Sequence, residues 1–386
     1  MKPTDIRVPD YFHKVVDCQW ACPAHTPVPE YIRLIAAGRH DDAYMINWKS
    51  NVFPGILGRT CDRPCEPACR RGRVEENNGA KPEPVAICRL KRVCADNKDA
   101  EAIRARMPKP AVKKNGRRIA CVGAGPASLT VARDLAPLGY HVTVFEADAK
   151  GGGFMRTQVP RFRLPEAVID EEVGYILDLG VEFRGGTRIA SMRALLAQKF
   201  DAVFVGSGAP RGRDLEIPGR REAAANIHIG LDWLASVYFE HVKKIGRRVI
   251  VLGGGNTAMD CCRSSRRLGG EDVKVIVRSG FEEMKASPWE KEDAMHEGIP
   301  ILNYLVPKAF VHEHGKLTGM TFEKVHAEHD AKGRRTLVPT GEPDQFFECD
   351  DVLIAIGQEN AFPWIERDAG IEFDAQWDMP VVDKMT

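Results

Sequence analysis

The chain has 386 residues, 44% of them apolar and 28% charged, with a formal net charge of +1. At about 150 residues per domain this is two to three folded domains, which excludes a disordered chain or a disulfide-stapled miniprotein. The near-neutral balance gives no bulk attraction to nucleic acid or an anionic membrane, and the start of the chain (Met1 to Val15) lacks the apolar core of an export signal. No 18-residue apolar run follows, so a cytoplasmic protein without nucleic-acid or membrane partners is expected.

The first segment reads as helical. Val28, Ile32, Ile35 and Ala36 recur at helical spacing with Gly38 placed to stop the helix, and a second helix is expected over Asp41 to Trp48. Of the 11 cysteines, Cys18, Cys22, Cys61, Cys65, Cys69, Cys88 and Cys94 fall here. In a chain without an export signal such clusters are more often metal ligands or redox groups than disulfides. Cys61, Cys65 and Cys69 have C-x3-C-x3-C spacing, and Cys18 and Cys22 add another C-x3-C pair. That spacing admits a zinc knuckle, while Pro23 and Pro64 stiffen the loops in a way that suits thiolates around an iron-sulfur cubane. Met107 to Gly116, with two prolines and three lysines, reads as a linker.

Beyond the linker the pattern becomes α/β, and one unit occurs twice. A strand from Arg118 runs into Gly123-x-Gly125-x-x-Ser128, then a helix, then a strand ending at Glu146. A strand from Arg248 runs into Gly253-x-Gly255-x-x-Ala258, then a helix, then a strand ending at Arg278. Such turns bring backbone N–H groups and a helix N-terminus onto a pyrophosphate. A strand-end carboxylate accepts from ribose hydroxyls, whereas an arginine suits a 2′-phosphate, so the second site leans towards NADP. Two further strands end in glycine, at Gly206 and Gly357. Two dinucleotides in one chain point to a nicotinamide reducing a flavin, a hydride step that requires no acid/base dyad, and no catalytic side chain is assigned. A flavin that receives electrons in pairs needs a one-electron acceptor to release them singly, which favours iron-sulfur over zinc in the cysteine segment.

Other features carry blander readings. Cys261-Cys262 is read as buried helix thiols, since adjacent cysteines form a strained disulfide. His312, His314, His326 and His329 are read as loop or edge-strand residues without zinc-ligand spacing. Ser287-Pro288 reads as a helix start.

The run from Cys22-Pro through Cys61 to Cys69, the glycine turns, Phe162 to Pro165, Gly253 to Asp260 and Glu282 to Pro288 together resemble the glutamate synthase small (β) subunit family. That family is also similar to the N-terminal half of dihydropyrimidine dehydrogenase and to the large subunit of NADH-dependent ferredoxin:NADP transhydrogenase. The resemblance implies a helical iron-sulfur domain followed by two Rossmann-like dinucleotide-binding domains, the second inserted into the first. It places an iron-sulfur domain over 1–112, a FAD domain over 113–225, an NAD(P)H domain over 226–349, and over 350–386 a return segment whose strand from Asp351 to Gly357 joins the FAD sheet. It puts FAD at Gly123, Gly125, Pro126, Ala127, Glu146, Gly153, Arg163 and Gly357. The nicotinamide nucleotide goes to Gly253, Gly255, Asn256, Thr257, Ala258 and Arg278.

The family pattern groups Cys22 with Cys61 and Cys65 around a [4Fe-4S] cluster, which Cys88 completes, with Cys18 and Cys69 as rival ligands. Three departures limit the likeness. A C-x2-C pair that precedes Cys18 in two-cluster members is missing, so a second complete cluster is not expected. Members also continue with a Gly-Asp motif and a closing helix, so the chain is expected to be a fragment with a truncated FAD segment. NADH remains an alternative to NADPH, because relatives are richer in arginine near Arg278. The expected activity is electron exchange between NADPH, FAD and a cluster, to or from a larger catalytic subunit or a ferredoxin in a hetero-oligomer. The alternatives are a stand-alone flavin reductase with a structural cysteine domain and a non-catalytic cluster-holding scaffold.

Overall fold

The computed structural model describes residues 16–73, 79, 81–330 and 334–383. The N-terminal segment is helical, with α1 (Asp17–Ala21), α2 (Val28–Ala36), α3 (His40–Asn51), α4 (Pro54–Thr60), α5 (Ile87–Asp96) and α6 (Ala100–Arg106). There follow β1 (Arg118–Val122), α7 (Pro126–Leu135), β2 (His141–Phe145), α8 (Phe154–Thr157), α9 (Glu166–Leu177), β3 (Glu182–Arg184), α10 (Met192–Leu196) and β4 (Ala202–Val205). The chain folds into two compact units, one of Met1–Gly152, Arg161–Ile189 and Leu195–Gly206, the other of Gly153–Pro160, Ala190–Ala194 and Ser207–Thr386.

In the first unit, α2 follows Pro27, carries Pro29 in its first turn and ends before Gly38, whose φ of 73° suits glycine. Val28 and Tyr31 are buried, with Ile32 and Ile35 packed against the same core. The second expected helix is there as α3, extended by a few residues at its C-terminal end. Helix α4 lies so close to α5 that a Cβ on Gly58 would stand 2.8 Å from the Arg92 backbone. Strands β3-β2-β1-β4 form a parallel sheet. Its central residues Ala120, Cys121 and Val144 are fully buried, as in a sheet covered on both faces.

Glu172 of α9 ties the helical segment to this sheet domain. It is fully enclosed and accepts from Gly55 N (2.7 Å), Ile56 N (3.0 Å) and the Tyr44 hydroxyl (2.8 Å). The carboxylate thus takes the first amides of α4, which a short helix otherwise leaves unbonded.

The second unit contains β5 (Arg211–Gly212), β6 (Ile227–Ile229), α11 (Gly230–Tyr238), β7 (Arg248–Leu252), α12 (Asn256–Arg267), β8 (Asp272–Ile276), α13 (Pro288–His296) and β9 (Ile301–Leu302). It continues through β10 (Leu305–Glu313), β11 (Lys316–His329), β12 (Arg335–Pro339), β13 (Gln345–Glu348), β14 (Asp351–Ile354) and β15 (Gln358–Glu359). A parallel sheet has the order β6-β14-β7-β8-β9, and β10 to β13 form a separate antiparallel sheet.

One expectation is corrected here. The strand from Asp351 does not join the first sheet; β14 pairs in parallel with β7, Asp351 to Val249 through Ile354 to Leu252, and with β6 on its other side. The reason is burial: every residue of β14 is buried, and Val352 and Ile354 pack with Ile250, Leu252 and Phe322 in one apolar cluster. A strand apolar on both faces belongs inside a sheet, and β14 fills the slot between β6 and β7.

Candidate functional site

Both glycine turns form as strand–turn–helix units at the carboxyl edge of a parallel sheet. In the first, Gly123 N bonds to Phe145 O (2.8 Å), extending the ladder by one residue. Gly125 then caps α7 with extended backbone and no side-chain cap, and a Cβ there would meet nothing within 4 Å. The first free amide of α7, at the exposed Ala127 behind the N–H-less Pro126, therefore borders open space at the positive end of the helix dipole. Glu146 is 9% exposed and held from both oxygens, by Ala124 N (2.7 Å) and Asp148 N (3.1 Å). Each oxygen keeps a lone pair for a ribose hydroxyl. Ser128 stands where such motifs carry a third glycine; it is fully buried, its Oγ has no partner, and a Cβ on Gly206 would come within 2.1 Å of it. The close packing usually met by glycine on the helix is met here by glycine on the neighbouring strand.

In the second turn, Gly253 has a φ of 135°, and a Cβ there would lie 2.2 Å from Ala355 O. Gly255 caps α12, again without a side-chain cap and with open space at its Cβ position. Asn256 is braced by the loop before α13: its Oδ1 accepts from Ser287 N (2.9 Å) and its Nδ2 donates to Ser287 Oγ (3.4 Å). Ser287 does precede the helix, as expected, but its hydroxyl caps nothing and serves the nucleotide turn instead. Thr257 is half-buried and Ala258 fully buried, while Arg278, two residues past the end of β8, is exposed with no hydrogen bond or ion pair among the described residues.

Gly123, Gly125, Pro126, Ala127, Glu146 and the half-buried Arg163 belong to the first unit; Gly153 and Gly357 belong to the second with Gly253, Gly255, Asn256, Thr257, Ala258 and Arg278.

All eleven cysteines are free. Those of the helical segment sort into two groups. Cys61, at the end of α4, accepts a hydrogen bond from Cys88 of α5, which pulls the Cys61 thiol down to about 6 and pushes the Cys88 thiol up. Burial, then the charge of Cys61, raises Cys65 to about 12, and Cys22 adds to the same effect. Cys22 donates to Thr26 Oγ1 (3.5 Å), which also accepts from Asn51 Nδ2 (3.5 Å), and Asn51 in turn donates to Asn47 Oδ1 (3.1 Å). Cys18, raised first by burial, feels Cys69 instead. Cys94 is fully buried and accepts from Asn47.

Among the described residues no three His, Cys, Asp or Glu side chains converge tightly enough for a single metal ion. One zinc draws its thiolates to about 2.3 Å from a common centre. A cubane spreads its four thiolates much farther apart, and a chain of thiols in which Cys61 neighbours Cys88 and Cys65, and Cys65 neighbours Cys22, beside the buried Lys91, fits that larger anionic group. Thr26, Asn51, Lys91 and Glu172 carry no motif, and only their burial in the folded chain singles them out.

Paired nucleotide turns and a thiol-rich helical domain define the class of iron-sulfur pyridine-nucleotide oxidoreductases. Residues 117–386 match the pyridine nucleotide-disulphide oxidoreductase family, and residues 11–103 match the dihydropyrimidine dehydrogenase domain II, 4Fe-4S cluster family. The chain is 34% identical over 391 residues to the NADPH-Fe(3+) oxidoreductase subunit beta of Geobacter sulfurreducens, covering 98% of this chain and 56% of that protein. It is 36% identical to the NADP(+)-dependent formate dehydrogenase subunit beta of Moorella thermoacetica (88% of this chain, 50% of that protein). It is 30% identical to the glutamate synthase [NADPH] small chain of Escherichia coli (93% and 77%). The chain spans about half the length of the first two of these relatives. The fold is similar to that of FprA from Mycobacterium tuberculosis (His57Gln mutant), with a TM-score of 0.55 at 20% identity over 67% of this chain and 74% of that chain. The chain belongs to the glutamate synthase small-chain family of pyridine-nucleotide oxidoreductases. The cofactors of this domain pair are FAD, NADPH and a [4Fe-4S] cluster. No helix among the described residues is long and apolar enough to cross a membrane.

Proposed function

We propose that the chain is the NADPH-oxidising, cluster-bearing subunit of a larger oxidoreductase, exchanging electrons with a catalytic subunit or a ferredoxin. When bound, NADPH would supply a hydride donor, FAD an acceptor for the electron pair, and the cluster a one-electron carrier. Gly123, Gly125, Pro126, Ala127 and Glu146 hold the FAD pyrophosphate and ribose, with Arg163 contributing from its loop in the same unit. Gly253, Gly255, Thr257 and Ala258 hold the nicotinamide nucleotide, Asn256 orients the turn through Ser287, and the free Arg278 guanidinium receives a 2′-phosphate. Cys22, Cys61, Cys65 and Cys88 ligate one cluster; Cys18 and Cys69 form a separate pair. On this reading the cluster domain spans 1–112 and the FAD domain begins at 113.

The observation that carries the reading is that the cysteine helices and the first glycine turn share one compact unit, joined by Glu172. Electrons arriving at that turn and leaving through the cysteines need no domain rearrangement between the two. The relatives named as beta subunits and small chains support a hetero-oligomer. The test is iron and flavin content with visible spectra before and after anaerobic NADPH addition. Both centres should be present and both should bleach. Flavin bleaching without iron would support a stand-alone flavin reductase, and iron without flavin bleaching a scaffold; either defeats the proposal.

A further inference from the structure

Helix α5 places Cys88, Lys91 and Cys94 one turn apart on its inner face, where they are 1%, 5% and 0% exposed. A lysine this enclosed stays charged only beside a compensating anion. Other enclosed cations are paired: Arg263 bonds Glu290 and Glu297, and Lys291 donates to Phe281 O above the Phe281 ring. Lys98, its side chain equally enclosed, pairs with Glu171. Lys91 has no side-chain hydrogen bond and no ion pair among the described residues. What flanks it along the same buried helix face is sulfur, Cys88 one turn before it and Cys94 one turn after. Cys88 is a cluster ligand in the reading above, on which this inference rests.

We propose that Lys91 is the fixed counter-charge of the iron-sulfur cluster and sets its reduction potential. Four thiolates around a cubane carry net negative charge, and reduction adds one more. A cation held nearby stabilises the reduced form more than the oxidised form, so it raises the potential and makes the cluster a better acceptor. Low local dielectric amplifies the effect, because the ammonium is shielded from the solvent that would screen it. The i, i+3 spacing from Cys88 makes the geometry a property of the helix and keeps cation and ligand in fixed relation. Lys91 acts on the cluster through its field and takes no part in bond making.

The test is an EPR-monitored redox titration of the full chain, purified anaerobically with its flavin, in wild type, Lys91→Met and Lys91→Arg. Lys91→Met keeps the apolar stem and removes the charge; Lys91→Arg keeps the charge. The expected result is a cluster midpoint shifted to more negative potential in Lys91→Met, near wild type in Lys91→Arg, with the flavin midpoint unmoved in both. If Lys91→Met keeps its flavin but loses iron while Lys91→Arg retains both, the cluster needs the charge to assemble, which supports the same conclusion. Full iron with an unmoved midpoint in Lys91→Met overturns the proposal, and so does an equal shift or equal loss of iron in both variants, which would mark packing as the cause. A wild-type chain that binds no iron refutes the ligand assignment itself, before any variant is compared.

Discussion

The two glycine turns share a backbone and differ in one charge. Each runs a parallel strand into a glycine that bonds the next strand, at Phe145 O and Ile276 O, and then into a helix capped by an extended glycine with open space in front of it. Just past the end of the following strand the first presents a buried carboxylate held by two backbone amides, and the second an exposed guanidinium held by nothing described. The shared backbone is suited to what all dinucleotides share, a pyrophosphate; the strand-end side chain is suited to what distinguishes them. The largest expected effect tests the shared part. Gly253→Ala adds a Cβ 2.2 Å from a backbone carbonyl at a φ of 135°, and neither group can yield cheaply. NADPH-driven flavin bleaching should fall by about 100-fold or more, the equivalent of roughly 3 kcal/mol of strain and lost fit. Dithionite reduction and flavin content should not change, since the first turn lies in the other unit.

The first turn also differs in what shares its unit, the cysteine helices tied on by Glu172, and that tie is sensitive to pH. Burial leads, opposed by the bonds from Gly55, Ile56 and Tyr44 and by the Lys98 charge, and the carboxyl is raised from 4.5 to about 7. Tyr175 and Glu171 flank it without neutralising it. A folded-state value above the unfolded one means the folded chain binds this proton more tightly. Its contribution is complete below about pH 4.5 and lost as pH rises through about 7, a change of roughly 3 kcal/mol. Urea midpoints measured between about pH 5 and 8 should therefore decline through this window in wild type, and Glu172→Gln should flatten that decline. An unchanged slope in the variant would place the titration elsewhere.

Two substitutions sharpen the contrast in charge. Glu146→Gln turns an acceptor into a group that can place an N–H against Ala124 N–H, and it costs the charge-assisted bonds to ribose. FAD retention should weaken by about 10- to 100-fold, from roughly 1.5–3 kcal/mol, with nucleotide binding at the second turn unaffected. Dialysis against apo-flavoprotein traps would read this directly. Arg278→Ala should raise the KM for NADPH by about 10-fold and leave that for NADH in place. An equal rise for both nucleotides would mean that Arg278 does not read the 2′-phosphate.

The parts legible in the sequence are those where local chemistry dictates geometry. The glycine turns, their flanking strands and the end of α2 at Gly38 follow from φ restrictions and short-range periodicity. Strand membership was not legible for β14: Asp351 to Ile354 reads as a buried parallel strand, but which sheet it enters depends on pairing with Val249 and Ile227, about 100 residues away in sequence. The antiparallel β10 to β13 sheet carried no turn signal strong enough to read. Lys91 and Glu172 were invisible for a related reason. A charged residue on an amphipathic helix reads as solvent-facing, and only tertiary packing reveals that it faces inward.

The smallest expected effect concerns the one feature of the second unit that imitates a different chemistry. Cys261 and Cys262 follow the glycine turn closely enough to suggest a disulfide reductase. Both thiols are fully buried in α12, however; burial raises both, Cys262 to about 12, and Cys262 donates to Met259 O (3.2 Å). A thiol so placed is neither a nucleophile nor open to a dithiol substrate. Cys262→Ala should leave NADPH-dependent flavin reduction within about twofold of wild type and lower stability by roughly 1 kcal/mol, the cost of a small cavity beside Val251 and Val275. Cys261→Ala should behave likewise, since its buried sulfur makes only a long contact to Gly230 O (3.7 Å). A loss of turnover in either variant without a matching loss of stability would mean that electrons leave through the second unit, and the division between a nucleotide-reading unit and a cluster-bearing unit would fail.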